Sequence, residues 1–279
     1  MNVSRSTRTL AAGSVAALLA LTAGCGSSGS ATGDAASRSA SSSPGSSSSS
    51  TASQTPGSES VGLTTSNIGP KLVAAQKKAG SYAFQITSSV SGQSIKGSGV
   101  ASLKGAKPAV RTNLDLHGSH VEAILRDGLI YLKSPVFHGD KPWLKVDPKS
   151  KTGLGALLGQ LGGAGDPSRN LDALFKASKV TRVGSEKVGG VDTTHYSVVV
   201  PRAALADAMG YPQQLVKLLP PTLTSQIWAD SDDLVRKLES AVTVKGEKST
   251  TVVTFDKYGE PVSVAAPPAG QVTTKSPLG

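Results

Sequence analysis

Histidines, clustered carboxylates and one thiol are the side chains from which this 279-residue sequence could build chemistry. His117 and His120 stand three apart around Gly118-Ser119, where two imidazoles in a turn could meet one metal ion. No acidic residue is spaced to complete that set, and a polar hairpin end accounts for the pair. His195 alternates with Thr194 and Tyr196 in a strand pattern, which suits a cross-strand partner better than a nucleophile. Asp230, Asp232 and Asp233 crowd a turn after Trp228; three such acids could hold a weak cation, but solvation is the ordinary state of an acidic turn. The sequence has no glycine-rich phosphate loop, G-x-S-x-G elbow, H-E-x-x-H or calcium-loop pattern. The expectation is a protein that is not an enzyme, with no catalytic residue, cofactor or metal.

Cys25 is the only cysteine, so neither an internal disulfide nor a cysteine-ligated metal site can form. What precedes it gives it another use. Arg5 and Arg8 make a positive start, and from Leu10 the run AAGSVAALLALTAG carries no charge. This stretch is short for a permanent membrane span and ends in small residues, as a cleaved export signal does. Leu21-Thr22-Ala23-Gly24-Cys25 is similar to a bacterial lipobox, although Thr22 stands where leucine is usual. The expectation is a signal peptide over residues 1–24 and lipidation of Cys25, whose acyl chains (diacylglycerol, with palmitate-like chains) anchor the chain on the extracytoplasmic face of the cell membrane. Two or three chains hold far more firmly than one.

Residues 25–60 contain almost nothing but Ser, Gly, Ala, Thr and occasional Pro. Such a segment cannot offset the entropy of ordering its backbone and is expected to be a disordered tether, with a span of roughly 30 to 35 Å. The folded part is expected over residues 61–268, one domain with a sizeable core, followed by a flexible tail at residues 269–279. Without Arg5 and Arg8 the formal charge falls from +10 to +8, with lysines scattered rather than gathered and aromatics at only 4%. That argues against nucleic acid, which needs a dense basic stripe or stacking platforms.

Asn67 can cap a helix carrying Ile68, Leu72, Ala75 and Ala79 on one side and ending at Gly80. Period-two alternation follows in Tyr82, Phe84 and Ile86, then in Val110, Thr112, Leu114 and Leu116. Val121 to Arg126 and Leu129 to Lys133 flank Asp127-Gly128, a hairpin signal, and Trp143 to Val146 makes a further strand. Strands resume at Val180 to Lys187 and Thr193 to Val200 around Gly189-Gly190. Pro201 opens a short helix, and Leu215 to Leu219 suggests another. Leu223 to Asp230, Leu234 to Val244, Glu247 to Phe255 and Pro261 to Val264 complete the strands. Trp143 and Trp228 fit core anchors better than ligand platforms.

Between the halves lies TGLGALLGQLGGAGD. Leu154, Leu157, Leu158 and Leu161 have helical spacing, but interior glycines cost about 1 kcal/mol each relative to alanine, so the helix is expected to be weak. Gly153, Leu154, Leu157, Leu158 and Leu161 therefore read either as a gate over a cavity or as a loose connector. A firmer helix is expected through Leu171, Leu174 and Phe175. With nine to eleven strands and three to five short helices, the fold class is α+β, helices lying against one face of a long antiparallel sheet. Periodicity leaves open whether sheet and helices enclose a hollow or a solid core.

Several phrases in order resemble the LppX/LprAFG family of actinobacterial lipoproteins. They are Gly80-Ser81-Tyr82-Ala83-Phe84, Asp127-Gly128-Leu129-Ile130-Tyr131, Trp143-Leu144-Lys145-Val146, Val188 to Tyr196, Ile227-Trp228-Ala229-Asp230, and Phe255 to Val262. The resemblance implies a fold similar to LolA and LolB, a strongly curved antiparallel half-barrel with helices covering the concave face, around an apolar cavity that takes acyl chains of a phospholipid or glycolipid. It implies lipid binding and lipid transport in an actinobacterial envelope. The partner expectations are the lipid ligand, with an envelope transporter or other protein as a candidate, no nucleic acid, and a monomer. The alternative is a non-catalytic interaction or sensing module on the same fold.

Overall fold

The structure is a computed structural model and describes residues 62–90, 93–105, 107–116, 118–135, 140–150, 154–155, 175–209, 213–244 and 246–275. Cys25, the tether, His117, His138 and most of the glycine-rich segment (Gly153, Leu157, Leu158 and Leu161 among them) lie outside the described residues.

The chain enters through α1 (Ile68–Ala79), whose buried residues Ile68, Gly69, Leu72 and Gln76 form one stripe. Asn67 precedes it but does not cap it: its Oδ1 accepts from the Thr64 amide behind it, at 2.7 Å. Gly80 ends the helix with φ 74°, a conformation that favours glycine, and its amide donates to the Gln76 carbonyl. Gly69 lets α1 press on Phe175, since a Cβ there would sit 2.7 Å from the ring.

Among the described residues twelve strands form one open sheet. In chain order they are β1 (Ser81–Val90), β2 (Gln93–Ser102), β3 (Ala109–Leu116), β4 (Ser119–Arg126), β5 (Leu129–Lys133), β6 (Trp143–Val146), β7 (Lys179–Val188), β8 (Val191–Pro201), β9 (Thr222–Ala229), β10 (Val235–Val244), β11 (Glu247–Asp256) and β12 (Val272–Thr273). Across the sheet the order is β12-β6-β5-β4-β3-β2-β1-β11-β10-β9-β8-β7. Every pairing is antiparallel except β12 with β6. Two short helices, α2 (Arg202–Met209) and α3 (Gln213–Val216), join β8 to β9. Asp127 and Gly128, with φ 56° and 81°, make the β4–β5 turn the sequence announced.

The inner core gathers Leu63, Ile68 and Leu72 with Tyr82, Phe84, Ile86, Ala101, Val110, Tyr196, Val198, Ile227, Val235, Val253 and Phe255. The strand residues among them come from seven neighbouring strands, β3 through β8 in sheet order. Flat, those strands would span about 29 Å, whereas a helix is about 10 Å across. One cluster can hold all seven around α1 because the sheet curves.

Two expectations change here. Pro261 to Val264 is not a strand: it crosses the outer face, where the Arg126 guanidinium donates to the Val264 carbonyl at 3.1 Å. Residues 269–279 were expected to be a flexible tail, yet Val272 and Thr273 pair with Trp143 and Leu144 as the edge strand β12. The reason is apolar cover: Val264 and Val272 pack with Ala109, Ile124 and Trp143 in a second, outer cluster.

Candidate functional site

Alternation assigns every strand residue to one of two faces, and the inner face is unevenly covered. Under α1 it is closed. Tyr82 lies edge-on to Phe255, with ring centroids 5.7 Å apart, and against Tyr258 at 5.7 Å, while Ile68 and Tyr82 are fully buried. Further along the sheet, Leu114 and Leu116 of β3, Val121 and Ala123 of β4, and Ile130 and Leu132 of β5 also face inward, in register with one another. Each is only half-buried. The strands carrying this apolar shelf span about 10 Å from β3 to β5, and beyond it Leu144 and Val146 of β6 share the face but are buried.

Among the described residues the shelf is not an enclosed cavity. Two open recesses lie elsewhere. One, of about 430 Å³, lies between Leu63–Ser66 and Lys176 and Val180. The other, of about 360 Å³, lies on the outer face over Ala83, Ser98, Gly99 and Val100, between Arg111 and Asp256. Of the proposed gate only Leu154 is described, in a helical turn with Gly155, which approaches the carbonyl of Asp147 too closely for a side chain.

The chemically suggestive residues are placed as follows. His195 Nε2 is 2.8 Å from Gln226 Oε1, its Nδ1 is 3.5 Å from Glu186, and its ring stacks on Trp228. It thus has the cross-strand partner its spacing suggested. Trp228 is buried, but on the outer face rather than in the main core, with its indole N–H donating to Glu186. Trp143 is also buried on the outer face.

Asp230 is committed to its turn. Its Oδ1 accepts from the amides of Asp232 and Leu234, and its Oδ2 is 2.7 Å from both Nε and Nη2 of Arg236. A carboxylate so occupied has little left for a cation, and Asp233 faces Lys71 of α1 at 3.6 Å. His120 is exposed at the β3–β4 hairpin. Among the described residues no three His, Cys, Asp or Glu side chains are gathered as a metal set.

No protein-family model matches the chain. An uncharacterised 31.2 kDa protein of Streptomyces griseus, from the rplA-rplJ intergenic region, is 32% identical over 152 residues; the match spans 47% of this chain and about half of that protein, 47% of its length. Among solved structures, LppX of Mycobacterium tuberculosis aligns over 72% of this chain and 98% of its own, at 14% identity and TM-score 0.49. LprF of Mycobacterium bovis aligns over 73% and 96%, at 17% identity and TM-score 0.45. The proteins to which this chain is similar thus include LppX and LprF, whose names fall within the family that its sequence phrases resemble.

Proposed function

We propose that the protein is an extracytoplasmic lipoprotein, anchored by lipid on Cys25, that binds acyl chains of a phospholipid or glycolipid and carries them in the cell envelope. The observation that carries this reading is the half-covered apolar shelf from Leu114 to Leu132 on the inner face of a curved sheet. The same face is closed under α1 and again at β6, where Leu144 and Val146 are buried, so the half-buried stretch between them is the part left for a ligand. Each methylene withdrawn from water against the shelf contributes about 0.8 kcal/mol, so a long chain binds without one polar contact. In this reading the sheet is a half-barrel whose concave face is covered by helices, Gly153 to Leu161 gate it, and the lipid anchor and tether confine the domain to the membrane surface. No described helix is long and apolar enough to cross a membrane.

A second reading, a non-catalytic interaction module, is favoured by the closed packing under α1. The test is native mass spectrometry of the full chain carrying Cys25→Ser, after incubation with membrane lipid. A stoichiometric lipid adduct supports carriage. Folded protein that stays empty against several lipid classes overturns it and supports partner binding. Anchoring is tested separately: Cys25→Ser releases the protein from the membrane fraction, and its retention there would remove the anchor.

A further inference from the structure

One row of the inner face breaks its apolar pattern. Ser225 of β9 stands opposite Ser240 of β10, Ser240 opposite Thr251 of β11, and Thr251 opposite Ser88 of β1. Each lies two positions along its strand from Ile227, Leu238, Val253 or Ile86, so the four hydroxyls share the inner face with the core and form the next row away from α1. Ser88 and Thr251 are 4% and 6% exposed and satisfy each other at 2.9 Å. Ser225 and Ser240 are half-buried, and neither hydroxyl makes a side-chain hydrogen bond among the described residues. Beyond Ser88 the same row continues through Ile95 and Leu116, which brings it onto the apolar shelf.

We propose that Ser225 and Ser240, extended by the Ser88–Thr251 pair, form a subsite for the ester carbonyls of the bound lipid and select acyl esters over ether or plain hydrocarbon chains of equal length. This rests on the carrier reading. A hydroxyl dried by a ligand without an acceptor loses its hydrogen bonds to water, so a ligand that brings carbonyl oxygen to these two is favoured over one that brings hydrocarbon or the weaker-accepting ether oxygen. The two donors stand one strand apart, about 4.8 Å, a spacing within reach of the paired carbonyls of a diacyl lipid. The chains then run over Ile95 and Leu116 toward Leu132, leaving the polar end of the lipid near the hairpins opposite α1.

The experiment uses the full chain with Cys25→Ser and a fluorescent acyl probe, displaced by two phosphatidylglycerols that share headgroup and chain length, one diester and one diether. The diester is expected to displace the probe at roughly tenfold lower concentration, what about one net hydrogen bond supplies. The double variant Ser225→Ala, Ser240→Ala is expected to lose that preference while still binding the diether, and the Ser240→Thr variant, which keeps a hydroxyl, to retain it. Equal displacement by both lipids in the unsubstituted chain overturns the subsite and leaves carriage standing. Preference unchanged in the double variant overturns it also, making the row a feature of strand pairing alone. Failure to bind the probe at all overturns the carrier reading and the subsite together.

Discussion

The imidazole of His195 lies flat on the indole of Trp228, with 4.2 Å between ring centroids and 9° between planes. Lys237 of β10 places its ammonium 4.1 Å from the same ring, and because β9 runs between β8 and β10 the indole is held from both neighbouring strands. The arrangement ties the last three strands before the β7 edge together on the outer face. His195→Ala is expected to lower unfolding stability by about 1 kcal/mol, the range of an aromatic pair beyond its area. Urea denaturation checks this as a lower midpoint with unchanged slope; an unmoved midpoint would show that the stack contributes nothing.

Gly97 and Gly99 occupy inner-face positions of β2, and neighbouring side chains lie across them. A Cβ at Gly97 would be 2.5 Å from Leu114 Cδ2, and one at Gly99 would collide with the Phe84 ring and the Arg111 carbonyl. Gly99→Ala is therefore expected to destabilise by about 1 to 3 kcal/mol as Phe84 is pushed out of the core. Thermal unfolding measures it, with Gly184→Ala as a control at a site where an added Cβ meets nothing within 4 Å. Equal effects at the two positions would show that backbone freedom, not crowding, is what Gly99 provides.

Those glycines explain what the sequence hid. The strand QSIKGSGVAS offers no large inward residues at two of its positions, so alternation is invisible, although β2 pairs along its whole length with β1. Strands whose own side chains fill the core, such as Tyr82-Phe84-Ile86 and Thr193 to Val200, were legible for the same reason in reverse. The edge strand β12 was illegible because Val272 is held by neighbours far away in sequence, Trp143 and Val264 among them. For the site, apolar strands announced an apolar face, but which part of it stays half-covered depends on where α1 lands. The Trp228 and His195 pair needed the β8–β9 register, which no local spacing contains.

Tyr258 gives a pH dependence. Burial first, and the neighbouring Tyr82 second, push its phenol far above the ordinary value near 10, against the lowering effect of Arg236, and its hydroxyl donates to the Val235 carbonyl. A tyrosine raised on folding stabilises fully below the unfolded-state pKa. Above about pH 10 the unfolded chain sheds this proton while the folded chain keeps it, so stability falls with rising pH. Tyr258→Phe is expected to flatten that alkaline slope while lowering stability at neutral pH through loss of the hydrogen bond. Ultraviolet titration should show a phenol that ionises only on unfolding and is missing in Tyr258→Phe; no such loss in the variant would contradict the assignment.

The shelf makes the sharpest functional prediction. Leu116 and Leu132 are half-buried on β3 and β5, so replacing them costs folding less than replacing a core residue such as Ile124, which is 1% exposed. If acyl chains lie there, a charge is intolerable to the ligand while remaining tolerable to the fold. Leu116→Asp and Leu132→Asp are each expected to weaken lipid binding by at least tenfold, since losing contact with as few as two methylenes removes about 1.6 kcal/mol. Val183→Asp, at a site 57% exposed on the β7 edge, is expected to leave both binding and stability unchanged. Lipid retention by native mass spectrometry, read beside circular dichroism, separates the cases. Lost binding with intact folding at the two leucines, and only there, supports the shelf as the binding surface, whereas unchanged retention in both moves the ligand off β3 and β5.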